Sequence, residues 1–242
     1  MSSAATLQHA DVHVSHDAHH EHHHHETFIT KYVFSQDHKM IAKQFLVTGI
    51  IWAIIGGLFS VIFRLQLGYP EATFPWLEDL LGHWAAGCKL KPEFYYALVT
   101  MHGTILVFFV LTAGLSGTFA NFLIPLQVGA RDMASPMLNM LSYWFFFLAS
   151  IIMFSSLFIQ TGPASGGWTI YPPLSALGDA STGSVVGMDF WLVSMAMFIV
   201  SSLLGGLNYI TTILNMRTKG MSMTRMPLTI WALFFTAVLG VL

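Results

Sequence analysis

The chain has 242 residues, of which 55% are hydrophobic, while Asp, Glu, Lys and Arg together reach only 9%, against about 25% in soluble domains. Between residues 94 and 178, Arg131 and Asp132 are the only charges. A soluble surface cannot be covered with so few, so the chain reads as an integral membrane protein. The net charge of -2 and the lack of a broad basic face give no sign of a nucleic-acid partner. With Cys88 alone, the chain can build neither an intrachain disulfide framework nor a cysteine-based metal cluster.

Residues 1–30 are expected to form a disordered, solvated tail, distinct from the apolar remainder at 31–242. Nine of the 12 histidines fall within residues 1–26, mixed with Asp17, Glu21 and Glu26. Clustered imidazoles bind borderline metal ions weakly, but a solvated tail is the simpler reading. No signal-peptide core precedes the first span, which is therefore expected to direct insertion.

A transmembrane helix needs about 20 mostly apolar residues. Five stretches qualify or nearly do, at roughly 43–67, 94–123, 138–160, 190–216 and 227–242. Their apolar residues run on without alternation, which excludes strands of a membrane barrel. The expected fold is all-α, a polytopic transmembrane helix bundle. The fifth stretch is still apolar at residue 242, with no flanking charge or aromatic anchor, so the chain is expected to be a fragment cut within that helix.

Lys and Arg set the orientation. Lys31, Lys39, Lys43, Arg131, Arg217, Lys219 and Arg225 lie on one side of the spans, and Arg64, Lys89 and Lys91 on the other. The seven-to-three bias places the N-terminus and the Asp132 loop in the cytoplasm. The loops at 68–93 and 161–189 then face outward.

Against this apolar background the polar residues stand out. His102 lies about eight residues into the second span, in the outer third of the bilayer. An imidazole there is either bonded to a neighbouring helix or acts as a ligand, for example of haem iron. Asp132 follows Arg131 in a short inner loop, where a surface ion pair is the simple alternative to a function. Asn121 lies below that loop; Asn139 and Ser142, three apart, share a helix face beyond it. Ser201, Ser202 and Asn208 put further hydroxyl and amide groups inside the fourth span. Such groups often only bond one another between helices, but a proton path needs the same chemistry. Gly56-Gly57, Gly103, Gly114, Gly117 and Gly205-Gly206 permit close helix packing and could leave room for a flat cofactor.

The motifs themselves are specific. Met101-His102-Gly-Thr-Ile-Leu-Val-Phe-Phe109 leads to Phe119-Ala-Asn121-Phe-Leu-Ile-Pro-Leu-Gln-Val-Gly-Ala-Arg-Asp132-Met-Ala-Ser-Pro136. Asn139, Ser142-Tyr-Trp144, Gly167-Trp168-Thr-Ile-Tyr-Pro-Pro-Leu174 and Asn208-Tyr-Ile-Thr-Thr-Ile-Leu-Asn-Met-Arg217 follow in order, and Phe34-Ser-Gln-Asp-His38-Lys39 and Arg64 bracket the first helix. Over residues 30–242 the chain closely resembles the subunit I family of the haem-copper oxidases, which includes cytochrome c oxidase.

That resemblance implies roles. His102 would be an axial ligand of the low-spin haem a, Arg64 the residue bonded to its formyl group, and Trp168 a contact of a propionate on the high-spin haem. Asp132 would open the D-type proton pathway, with Asn121, Asn139, Ser142, Ser201, Ser202 and Asn208 along it. The copper and high-spin haem ligands would lie beyond residue 242, since about twelve helices make the family's subunit. The implied activity is reduction of oxygen to water by cytochrome c, coupled to proton pumping. The implied partners are cytochrome c or a membrane cytochrome c domain, oxidase subunits II and III, the lipid bilayer and a larger respiratory supercomplex. A bacterial inner membrane is the implied location. Two departures mark the chain: Phe45 replaces a Tyr that many members carry in the D pathway, and Gln66 replaces an acidic residue of an outer cation site. Quinol oxidases share most of these motifs. Nitric oxide reductases lack the Asp132 loop, and a haem-free transporter would also have polar membrane groups.

Overall fold

The structure, a computed structural model, describes residues 28–178 and 185–242, apart from the side chain of residue 83. The His-rich tail at 1–30 therefore lies almost wholly outside the described residues. Its last residues run into one short turn of helix, Ile29–Val33.

Four long helices dominate the described residues. Helix α1 covers His38–Gly68 and begins before its apolar run, because the Asp37 carboxylate accepts a bond from Met40 N at 3.3 Å and caps the first turn. A short helix α2 (Pro75–Leu81) follows, then a minimal antiparallel hairpin of β1 (Ala85–Ala86) and β2 (Lys89–Leu90). Its two turn residues, Gly87 and Cys88, both have φ of 61°, the left-handed pair that a tight hairpin requires.

Helix α3 runs over Pro92–Val128. Its middle third, Ile105–Leu115, has π-type winding. Thr112 Oγ1 accordingly donates to Val107 O, five residues back, at 2.7 Å. Gly129, with φ of 78°, ends the helix. Helices α4 (Pro136–Phe158) and α5 (Val185–Asn215) complete the set of four long and apolar enough to cross a membrane. Helix α6 (Leu228–Val241) is apolar but has only 14 residues. The chain is thus an all-α bundle of a membrane protein, with its two-residue strands confined to one connection.

The outward face of α1 carries Val47, Ile50, Ile51, Ile54, Leu58 and Val61, all exposed. A helix that is apolar both inside and outside fits lipid, not water. Inside, Phe45, Trp52, Phe109, Phe146 and Phe198 interlock with Met101 and Met153 in the main core. Where α1 crosses α3, a Cβ on Gly49 would lie 3.1 Å from Gly114 Cα, so two backbones meet with no side chain between them. Helices α4 and α5 are tied by Ser194 Oγ donating to Ala149 O and Ser201 Oγ donating to Ser142 O, both at 2.6 Å.

Helix α3 sets the long axis of the site. His102 lies near its beginning and Asp132 just past its end, on the order of 35 Å apart along the helix at its ordinary rise.

Candidate functional site

The ring of His102 is held between α1 and α3. Its Nδ1 lies 2.8 Å from Gly56 O. A carbonyl oxygen only accepts, so Nδ1 carries a hydrogen and Nε2 is the nitrogen left for any other partner. The Phe63 ring packs edge-on at 5.5 Å and limits rotation of the imidazole. The contact depends on Gly56: a Cβ there would lie 3.0 Å from Leu106 Cδ2 and 3.2 Å from Ile105 Cγ2, pushing the helices apart. Arg64 follows Phe63 on α1 and is exposed, with no ion pair among the described residues.

Trp168 is brought to the same end by a loop contact. Thr100 Oγ1 accepts from Gly167 N at 2.8 Å and donates to Tyr96 O at 2.8 Å. The indole then lies over Gly103, where a Cβ would be 3.2 Å from Trp168 Cδ1, and meets the Phe108 ring at 5.9 Å. His102 and the Trp168 indole are thus close neighbours on α3, and Arg64 lies about two turns along α1 from Gly56.

At the opposite end, Asp132 Oδ1 accepts from its neighbour Met133 N at 2.7 Å and faces His38 Nδ1 at 3.1 Å. The His38 ring is almost fully buried, whereas the Asp132 side chain keeps 36% of its surface open. Asp37 stands 3.6 Å from the same His38 nitrogen. The carboxylate is thus fixed at the rim with one imidazole behind it.

Inward from Asp132 the polar groups fall into three sets. Asn208 Oδ1 accepts from Ser135 N at 2.8 Å and Thr212 Oγ1 from Ala134 N at 2.9 Å, so this part of α5 holds the Asp132 loop in place. Asn121 and Asn139 are fully buried. Asn121 Nδ2 donates to Gly117 O at 2.8 Å and to Tyr209 Oη at 3.1 Å, while Asn121 Oδ1, both amide atoms of Asn139 and Asn208 Nδ2 have no partner among the described residues. Each such buried group costs about 1–3 kcal/mol if left unpaired, and water between the helices is one partner that would satisfy these amides. The third set lines a cavity of about 140 Å³ between α1, α3, α4, α5 and α6, whose wall is mostly apolar, with Phe45 and Phe198 in it, and carries the hydroxyls of Ser116, Ser142, Ser201, Ser202 and Tyr209. It has room for several waters. Ser142 Oγ donates back into its own helix, to the main-chain O of Asn139 at 2.8 Å. Asn121, Asn139 and Asn208 do not line the cavity themselves. Chemically, the arrangement offers an acid at a wet rim, then buried amides, then hydroxyls around a water-sized space.

Residues 40–242 match the family described as Cytochrome C and Quinol oxidase polypeptide I. The chain belongs to that family. It is 42% identical over 213 residues to the alternative cytochrome c oxidase subunit 1 of Bradyrhizobium diazoefficiens, covering 88% of this chain and 34% of the relative. Against cytochrome c oxidase subunit 1 of Synechocystis it is 39% identical over 207 residues, covering 85% of this chain and 33% of the relative. Against that of Candida albicans it is 38% identical over 213 residues, covering 88% and 37%. The chain spans about a third of the length of the curated relatives it matches.

Two residues singled out in the sequence, Gln66 and Phe45, now have local explanations. Gln66 Oε1 accepts from Leu90 N at 3.1 Å, so the amide ties the end of α1 to β2. Phe45 packs against Gly117, where a Cβ would lie 2.8 Å from the ring, and meets Tyr143 edge-on at 5.3 Å. Sequence reading passed over His38, Thr100, Thr212 and Tyr209 as site residues. His38 had a signal, an Asp-His pair just before the first span. The other three look like ordinary polar residues of membrane helices.

Proposed function

We propose that the chain forms part of the catalytic subunit of a proton-pumping terminal oxidase, which reduces oxygen to water with electrons from cytochrome c. The observation that carries this is the 2.8 Å bond from His102 Nδ1 to Gly56 O, which orients the ring and leaves Nε2 as the nitrogen for any other partner. Imidazoles that ligate metals are held in this way through their other nitrogen. His102 would hold the iron of a low-spin haem a, Arg64 would bond its formyl group, and Trp168 would reach a propionate of the high-spin haem. When bound, such a haem carries single electrons in a low-dielectric interior. Copper and the high-spin haem would take their ligands from the part of the relatives' length that this chain does not span.

The chain's own residues then have separable tasks. Gly56 holds the His102 ring through Nδ1, and Thr100 anchors the loop that carries Trp168. Asp132 takes up protons at the cytoplasmic rim, backed by His38. Asn121, Asn139, Ser142, Ser201 and Ser202 hold water along a D-type route, and Asn208 keeps its mouth in shape. Cytochrome c or a membrane cytochrome c domain, oxidase subunits II and III and a larger respiratory supercomplex would be the partners. The site of action would be a bacterial inner membrane with the N-terminus inside.

The test is the optical spectrum of the complete enzyme carrying His102→Ala. Loss of the low-spin haem signal is expected, and an unchanged spectrum refutes the assignment. The family description covers quinol oxidases as well. A purified enzyme that oxidised quinol but not reduced cytochrome c would replace the proposed donor.

A further inference from the structure

Phe45 puts a ring into the wall of the cavity, and a different side chain supplies a hydroxyl nearby. Tyr209, on α5, lines the same cavity as Phe45, Ser142, Ser201 and Ser202. Its oxygen accepts from Asn121 Nδ2 at 3.1 Å. The direction of that bond is determined, because the same amide nitrogen also faces Gly117 O at 2.8 Å, which can only accept. The hydroxyl hydrogen of Tyr209 is therefore free to donate elsewhere, and no acceptor for it occurs among the described residues.

Gly205 shows how close the next polar group is. A Cβ there would lie 3.5 Å from Tyr209 Oη and 3.8 Å from Ser142 Oγ. The two hydroxyls can thus be joined through about two bridging waters at most, given ordinary hydrogen-bond lengths. Ser142 is in turn the backbone acceptor of Ser201 Oγ at 2.6 Å. Asn121 and the Tyr209 hydroxyl are directly bonded, and the Ser142 hydroxyl stands across a gap of water size, with Ser201 held beside it through the Ser142 main-chain carbonyl.

We propose that the Tyr209 hydroxyl is a positioning group on the internal proton route, passing hydrogen bonds from Asn121 to the Ser142 side of the cavity, a role that a hydroxyl at the Phe45 position of the same wall would share. The proposal rests on the reading of Asp132 as the point of proton uptake. A tyrosine oxygen that accepts from a buried amide and donates to water orients the chain of waters without itself being consumed.

The experiment uses the complete enzyme in lipid vesicles and follows proton uptake with a pH-indicator dye during oxygen-driven turnover. Tyr209→Phe is expected to slow uptake about fivefold, the rate equivalent of one net hydrogen bond, with an unchanged low-spin haem spectrum. Adding Phe45→Tyr to that variant is expected to restore much of the rate, which a purely structural loss would not allow. Gly205→Ala, whose methyl would fill the gap at ordinary contact distance, is expected to slow uptake as well. Wild-type uptake in both Tyr209→Phe and Gly205→Ala, beside slow uptake in Asp132→Asn, overturns the role of Tyr209 alone. Wild-type uptake in Asp132→Asn overturns the reading on which it rests. Slow uptake in Tyr209→Phe without rescue overturns the equivalence with the Phe45 position.

Discussion

The loop that carries Trp168 hangs on one hydroxyl, and this can be isolated. Thr100 Oγ1 accepts from Gly167 N at 2.8 Å, and the residue is fully buried. Thr100→Val keeps the shape and removes the acceptor. Tyr96 O loses a second donor but keeps its place in the helix, so the main cost is a Gly167 N–H left without a partner. That is worth about 1–3 kcal/mol, which raises the local opening equilibrium between about fivefold and 150-fold. Hydrogen exchange of the loop peptide, read by mass spectrometry on the intact complex, measures that opening directly. Thr104→Val is the matched control. Thr104 is equally buried and lies one turn further along α3, but it accepts from Trp191 Nε1 at 3.1 Å, an indole that packs against Ala164 and Ile170 of the loop. Exchange at Gly167 should rise in the first variant and stay put in the second. Equal protection in both would show that the loop is held by its apolar packing and would refute the argument.

Three further outcomes follow from the same geometry. Gly49→Ala puts a methyl 3.1 Å from Gly114 Cα, a backbone atom that cannot turn aside. Overpacking costs of about 1–3 kcal/mol outweigh the gain in helix propensity, so the thermal midpoint of the complex should fall; an unchanged midpoint would mean that the helices separate without cost. Asn208→Leu removes the acceptor of Ser135 N, found at 2.8 Å, and should destabilise the Asp132 loop by about 1–3 kcal/mol, seen as faster exchange across 130–136. The Cys88 thiol donates to Glu78 Oε2 at 3.3 Å, and this bond, with partial burial and the nearby Glu78 and Asp79 charges, raises its pKa above the ordinary thiol value. A raised pKa leaves less thiolate at any given pH, so the alkylation rate should climb only at higher pH than for a free cysteine. Glu78→Ala should shift that curve back to lower pH, and an unmoved curve would contradict the cause assigned.

The spans were legible because lipid imposes a one-dimensional rule: about 20 consecutive apolar residues with the backbone satisfied internally. Their ends were less so. Asp37 starts α1 before its apolar run, and Gly129 ends α3 after its own, since caps and left-handed glycines, not hydropathy, decide where a helix stops. His102 and Asp132 were visible for the opposite reason, as ionisable groups in a stretch otherwise almost without them. Asn208 was legible as a buried polar group, but its main bond to Ser135 makes it a holder of the loop, which spacing along one helix does not reveal.

The sequence by itself determined that this is an all-α membrane bundle with an imidazole towards one end and a carboxylate towards the other, because hydropathy and charge belong to single residues. Tertiary structure alone decided their partners: Gly56 O for His102, His38 for Asp132, and Tyr209 for Asn121, a pair 88 residues apart in the chain. The first of these arises where Gly56 lets the backbones of α1 and α3 approach closely enough for a short bond across the crossing. A crossing depends on two helices at once, so neither sequence alone contains it.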